Sequence, residues 1–215
     1  VYDSDSETGD LELVSVPQGG GDIFGYFNNP SISDDGRYVA FDGWTNDLVP
    51  GEVEWTSDIY VLDRNDGSIV RISDAFDGSE SDGNSYQPAI SPDGGFVAFY
   101  SYASDLVTDD HNGMADLFLH DIAAGTTVRV SVSSSEAEAN DESYFGRVSE
   151  NGLFVSFYSY ASNLVAEDTN GYVDVFVRDV VNGTTERVSV GTDVAGSQAN
   201  GGSYANDISA DGRYV

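Results

Sequence analysis

Three stretches of this chain carry oxygen side chains at relative positions 1, 3 and 7. They are Glu52, Glu54 and Asp58; Asp110, Asn112 and Asp116; and Asp168, Asn170 and Asp174. Such spacing suits a hard cation, because Ca²⁺ collects six to eight oxygens from side chains, backbone carbonyls and water. Gly113 and Gly171 follow position 3 in the second and third stretches, as in half of a calcium loop. The full EF-hand pattern is not met: no Gly stands at position 6 and no Glu at position 12. Bound Ca²⁺, or divalent cations more broadly, is therefore one expectation for these residues. The same side chains also suit Asx turns and strand starts, which need no metal.

A second set of candidates is aromatic. Tyr86, Tyr144 and Tyr204 each follow a serine and recur at similar intervals, within Asn84-Ser-Tyr86, Asn140-Asp-Glu-Ser-Tyr144 and Asn200-Gly-Gly-Ser-Tyr204. Tyrosine offers a flat apolar face with a polar tip, suited to stacking on sugars or gripping peptides, and equally to packing on a neighbouring module. The N-terminal counterpart, Phe24 to Asn29, departs from this pattern. Trp44 and Trp55 flank Glu52 and Glu54 and offer an aromatic ligand platform. Arg147 stands where the other copies have Ala89 and Asp207, so it is expected to point into a central channel as a ligand-binding residue. His111 and His120 lack the carboxylate and nucleophile partners of a catalytic set. There is no cysteine and no Gly-x-Ser-x-Gly nucleophile elbow. No catalytic residue is assigned.

The elements that must position these residues form an array. The phrase Ser-x-x-Gly-x-x-Val occurs at 33–39, 91–97, 149–155 and 209–215, so its anchor serines are 58, 58 and 60 residues apart. A fixed period of this kind sets the architecture. The third copy has four strand-like segments, Arg147–Ser149, Leu153–Tyr158, Val173–Arg178 and Thr185–Val190, rich in β-branched and aromatic residues between Gly/Asn/Asp clusters. No helical period extends over a useful length. The spacing predicts an all-β propeller of four-stranded antiparallel blades, about 58 residues each. Full blades are expected at 30–74, 88–132 and 146–190, with half-blades at 1–16 and 206–215, in one domain. An unclosed arc exposes sheet edges. That favours a ring, either four-bladed and closed by pairing the two half-blades, or part of a larger propeller.

Strands alternate direction within a blade, so tight turns (Asp34–Arg37, Asn65–Gly67, Ala123–Gly125, Val181–Gly183) share one face. The long loops, about 44–57, 102–115 and 160–173 together with 74–87, 132–145 and 190–205, share the other. Binding residues are expected there.

Composition narrows the partners. Thirty-eight acidic residues face eight arginines and no lysine, for a formal charge of −30. Nucleic acid and anionic lipid both require clustered cations and are excluded as partners. No stretch of 18 apolar residues is present, so membrane insertion by a helix is not expected. Such acidity fits adaptation to high salt, where self-repulsion is screened, as well as cation binding or simple solubility.

The segments PSISDDGRYVAF, PAISPDGGFVAFYSYASDLV and VSFYSYASNLVAEDTNGYVDVFVRDVVNGTTERVSV resemble the PD40, or TolB-like, β-propeller repeat of bacteria and archaea. This resemblance covers essentially the whole chain. It implies four-stranded blades around a central channel, a secreted, periplasmic or cell-surface setting, and a non-enzymatic role in binding protein or glycan. Related propellers precede prolyl-oligopeptidase-type hydrolase domains, and no such hydrolase segment is present here. Two alternatives stand beside that expectation: a propeller-type polysaccharide lyase or glycosidase using channel-mouth carboxylates with Tyr or Arg147, and a structural module of a surface layer or filament.

Overall fold

The computed structural model describes residues 2–4, 11–16, 24–45, 47–52, 56–191, 197–204 and 206–215, with backbone alone for 2–4 and 11–12. Glu54 and Trp55 lie outside the described residues. All regular structure among the described residues is β. A short hairpin, β1 (Tyr2–Ser4) and β2 (Leu11–Leu13), precedes three four-stranded sheets. The first sheet contains β3 (Gly25–Ile32), β4 (Tyr38–Thr45), β5 (Thr56–Asp63) and β6 (Ser68–Arg71). The second contains β7 (Ser85–Ile90), β8 (Phe96–Ser101), β9 (Asp116–Asp121) and β10 (Thr126–Arg129). The third contains β11 (Ser143–Val148), β12 (Phe154–Ser159), β13 (Asp174–Asp179) and β14 (Thr184–Arg187). Each is an antiparallel meander in chain order, so the sheets are propeller blades.

The central strands of each blade are buried on both faces, which explains their continuous apolar runs. One core layer lies between the first two blades and joins Ala40, Ile59 and Val61 to Val97, Phe99 and Phe118. The next joins Ala98, Leu117 and Leu119 to Val155, Phe157 and Phe176. Val14, just after β2, packs with Val39, Phe41 and Tyr60 on the outer side of the first blade. One stacked aromatic pair recurs per blade: Phe41 with Tyr60 at 5.7 Å, Phe99 with Phe118 at 5.9 Å, and Phe157 with Phe176 at 5.7 Å. All six rings are fully buried, worth roughly 2 kcal/mol each in transfer free energy.

The repeated Ser-x-x-Gly-x-x-Val phrase makes the turn into each second strand. Ser91 Oγ donates to Asp93 Oδ1 at 2.6 Å and accepts from the Phe96 N–H at 2.9 Å. Ser33 with Asp35 and Ser209 with Asp211 repeat this at 2.7 Å. The glycine has two duties. Gly94, Gly152 and Gly212 hold φ of +75°, +69° and +70°, and each lies under an aromatic ring of the preceding blade, Tyr38, Phe96 and Phe154. The phrase is thus an inter-blade lock as well as a turn.

Two boundaries differ from the sequence reading. First strands begin at Gly25, Ser85 and Ser143, upstream of the expected starts, because a β-bulge lets the chain pair before and after it. Trp44 consequently lies at the end of β4 rather than in a loop. The three blades form an arc. Among the described residues 206–215 carry no strand and β1–β2 is two-stranded, so the half-blades are not paired with each other, and the arc fits the alternative of a partial ring. Instead the last segment docks on the third blade, where the Glu150 N–H donates to the Ala210 carbonyl at 2.9 Å.

Replacing Gly152 with Ala is expected to destabilise the fold by about 2 kcal/mol or more, since a Cβ there meets the Phe96 ring at 2.6 Å and φ is positive. Gly125→Ala, with the same backbone sign but nothing within 4 Å of the added Cβ, is expected to cost only about 1 kcal/mol. Urea melts of both variants check the difference; equal losses would remove the inter-blade role.

Candidate functional site

In the second and third stretches the oxygen residues at positions 1 and 7 converge on an arginine. In the second blade Arg129 Nη1 lies 3.3 Å from Asp110, 3.7 Å from Asp116 and 2.8 Å from Glu138. Asn112 turns its amide nitrogen toward Asp116 at 2.6 Å, while its oxygen accepts from the Met114 N–H at 2.8 Å. The third blade repeats this with Arg187, 3.3 Å from Asp168 and 3.5 Å from Asp174, and with the Asn170 amide 3.3 Å from Asp174. In the first blade Arg71 lies 2.6 Å from Asp74, 3.6 Å from Glu80 and 4.0 Å from Asp58. Glu52 is engaged elsewhere, accepting from Tyr60 Oη at 2.5 Å and from the Leu48 N–H at 2.7 Å.

A guanidinium already sits among the carboxylates, and the Asn112 amide presents its nitrogen rather than its oxygen to Asp116. Among the described residues no group of three or more His, Cys, Asp or Glu side chains has the arrangement of a metal site. Sequence reading missed the arginines, although their signal is present: Arg71, Arg129 and Arg187 recur every 58 residues, each two positions before a serine. Those serines complete the cluster. Ser73 donates to Asp58 at 2.7 Å and Ser189 to Asp174 at 2.5 Å, and Ser131 donates to Asp116.

The tyrosines form a continuous ribbon at the long-loop end of the blades. Ring centroids run from Tyr86 to Tyr100 at 5.6 Å, to Tyr144 at 4.9 Å, to Tyr158 at 5.8 Å and to Tyr204 at 5.9 Å. Tyr102 and Tyr160 pack edge-on to this row at 6.1 and 6.4 Å and are about half exposed. The Tyr144 hydroxyl donates to Glu142 at 2.6 Å and lies 3.1 Å from the Tyr102 hydroxyl. Burial pushes the Tyr100 phenol up to about 12, so this ring stays neutral over the physiological range. The structure therefore brings Tyr86, Tyr144 and Tyr204 together. The row stops at the first blade, where buried Asp42 holds the place of Tyr100 and Tyr158 and accepts from Asn29 Nδ2 at 2.7 Å and the Gln87 N–H at 3.0 Å. Trp44 stands apart from the row, its ring 6.0 Å from Tyr26.

Arg147 lies in neither feature. It lines a groove of about 390 Å³ between the first strands, together with Asn29, Gln87, Phe145 and Asp207. His111 and His120 are not part of it. The His111 N–H donates to Glu138, and His120 Nδ1 pairs with Thr127 Oγ1 at 2.9 Å.

No protein-family model matches the chain, and no curated protein matches it by sequence. Solved structures do. TolB from Acinetobacter baumannii is similar over 99% of this chain and 41% of its own, with 17% identity and a TM-score of 0.55. The fold is that of a TolB-like β-propeller. A prolyl endopeptidase is similar over 89% of this chain and 26% of its own (14% identity, TM-score 0.53), and the tricorn protease over 87% and 20% (15% identity, TM-score 0.50). The chain thus spans less than half the length of each of these structures.

Loss of the central guanidinium in Arg129→Met strands buried carboxylates and is expected to cost about 3 kcal/mol at neutral pH. Burial raises Asp110 to about 6. The native state therefore holds this proton at pH values where the unfolded chain has released it. That stability is fully present below the ordinary carboxylate value and is lost as pH rises through about 6. The wild-type melting temperature is expected to be higher at pH 5 than at pH 7.5 at constant ionic strength, and the Arg129→Met deficit smaller at pH 5. Thermal melts at the two pH values check both signs.

Proposed function

We propose that this chain is a non-enzymatic binding propeller of an extracytoplasmic setting, which recognises a protein or glycan partner on its long-loop face. The tyrosine ribbon carries this reading. Seven phenol rings run across two blades and into a third segment, with Tyr102, Tyr160 and Tyr204 exposed at one edge. Neutral flat rings with hydroxyl tips stack on the C–H faces of sugars and on apolar peptide side chains, and they lose little conformational entropy on binding. Trp44, the first-strand tyrosines and the ribbon all lie toward the same end of the blades.

Two observations support binding over chemistry. Asp207 is the single carboxylate that lines the groove beside Arg147 among the described residues, where acid–base cleavage of a glycan needs a pair. Asp58, Asp110, Asp116, Asp168 and Asp174 are engaged by arginine or serine rather than facing an open cleft. Arginine also supplies the positive charge that the loops require, which makes calcium dispensable in this reading. The strong acidity fits a saline environment.

Glycan-array and pull-down binding with the wild type, set beside Tyr102→Ala and Tyr160→Ala, tests the ribbon. A loss of about tenfold or more in affinity with unchanged melting temperature is expected, in the range measured for aromatic contact residues. Full binding by both variants would remove the ribbon from recognition. Melts in Ca²⁺ and in EDTA at constant ionic strength are expected to coincide; a Ca²⁺-dependent rise would restore the calcium reading.

A further inference from the structure

The inner groove between the first strands differs from the rest of this acidic molecule. Its wall is made by equivalent positions of successive blades, and those positions are not alike. Ser31, Ala89, Arg147 and Asp207 occupy one rung. Arg147 is half-buried there, and among the described residues no carboxylate lies within 4 Å of it; its one hydrogen bond is to the Gly146 carbonyl at 3.0 Å. Five other arginines, Arg37, Arg71, Arg129, Arg178 and Arg187, contact carboxylates. In a chain of net charge −30, a cation held apart from carboxylates is a position where its charge is left for something else.

The adjacent rung is strained. Asn29, Gln87 and Phe145 sit at the bulge of the three first strands with φ of +49°, +53° and +55°, and all three line the groove. Asn tolerates this conformation. Gln and Phe do so at a cost of about 1 kcal/mol or more each, and strain of this kind clusters at ligand clamps. The Gln87 carboxamide oxygen is buried with no hydrogen-bond partner. The groove thus offers a guanidinium with free N–H donors, a buried acceptor seeking a donor, and the carboxylate of Asp207, in about 390 Å³.

We propose that this groove binds an α-carboxylate end: a carboxylate taken by Arg147, with the N–H group on the adjacent α-carbon directed to Gln87 or Asp207. The volume suits one amino-acid unit. This ligand goes beyond the long-loop reading and uses none of the ribbon residues. Arg147 supplies a fork of donors matched to a carboxylate. Gln87 Oε1 accepts from an amide N–H, as in the last peptide bond of a chain. Asp207 favours an ammonium, as in a free amino acid.

Calorimetric titration of the full chain with N-acetylglycine, glycine and N-acetylglycinamide tests this. N-acetylglycine or glycine is expected to bind saturably, and the neutral amide about tenfold more weakly or not at all. Arg147→Met is expected to lower carboxylate affinity by at least about tenfold, while Arg147→Lys keeps part of it; both are expected to melt as wild type, since Arg147 closes no ion pair. Asp207→Asn separates the two sources: it weakens glycine but not N-acetylglycine. Tighter N-acetylglycine identifies a chain end, and tighter glycine a free amino acid. Equal affinity for acid and amide, undiminished binding by Arg147→Met, or no saturable binding of either acid would each overturn the proposal.

Discussion

Each blade depends on one buried aspartate. Asp58, Asp116 and Asp174 lie at or near the start of the third strands at or below 1% exposure, where an unpaired carboxylate costs several kcal/mol. Serine just beyond the fourth strand donates to one oxygen, and the arginine that ends that strand faces the other. The same serine accepts from the backbone N–H after the aspartate, at 3.0 Å in all three blades. This unit ties the outer strand to the inner ones. It also reaches into the long loops, because the second face of each arginine contacts their carboxylates. Loops that would be swollen by charge repulsion are thereby fixed to the sheet.

The tyrosine ribbon benefits from that anchoring. Its rings stand at the ends of the second strands and the starts of the first, next to loops held by arginine. Blade-to-blade spacing is set at the opposite end by the turn glycine under the preceding blade's aromatic ring. At the outer edge further ties occur only where sequence permits: Arg178 reaches Glu136 at 2.5 Å and the Ser133 carbonyl at 3.2 Å, where the previous blade has His120. A repeat with fixed locks at both ends can vary its remaining positions. Asp42 in place of tyrosine and Arg147 in place of alanine are such variations, and both face the inner end of the arc.

Much of the fold was legible because its signals are local. A serine, an aspartate two residues on and a glycine after it define a turn within five residues, and the turn forms as read. Burial of the central strands follows from their apolar runs. First-strand starts were misplaced because a bulge has no strong residue signature, so Ser85–Tyr86 and Ser143–Tyr144 read as loop. The arginine among the oxygen loops was not read, since Arg129 lies 13 residues beyond Asp116 in sequence and reaches it only through the β9–β10 pairing.

Sequence alone determined the period, the strand content, the turn chemistry and the absence of any strong cationic surface, all of which depend on residues a few positions apart. Only the tertiary structure decided which charges meet. An arginine, an asparagine amide or a cation are equivalent solutions to a row of carboxylates until the strand register places one of them at 3 Å. The same holds for the tyrosines, which become a surface only when neighbouring blades set their rings 5 to 6 Å apart, and for Arg147, whose separation from the described carboxylates follows from where its strand faces.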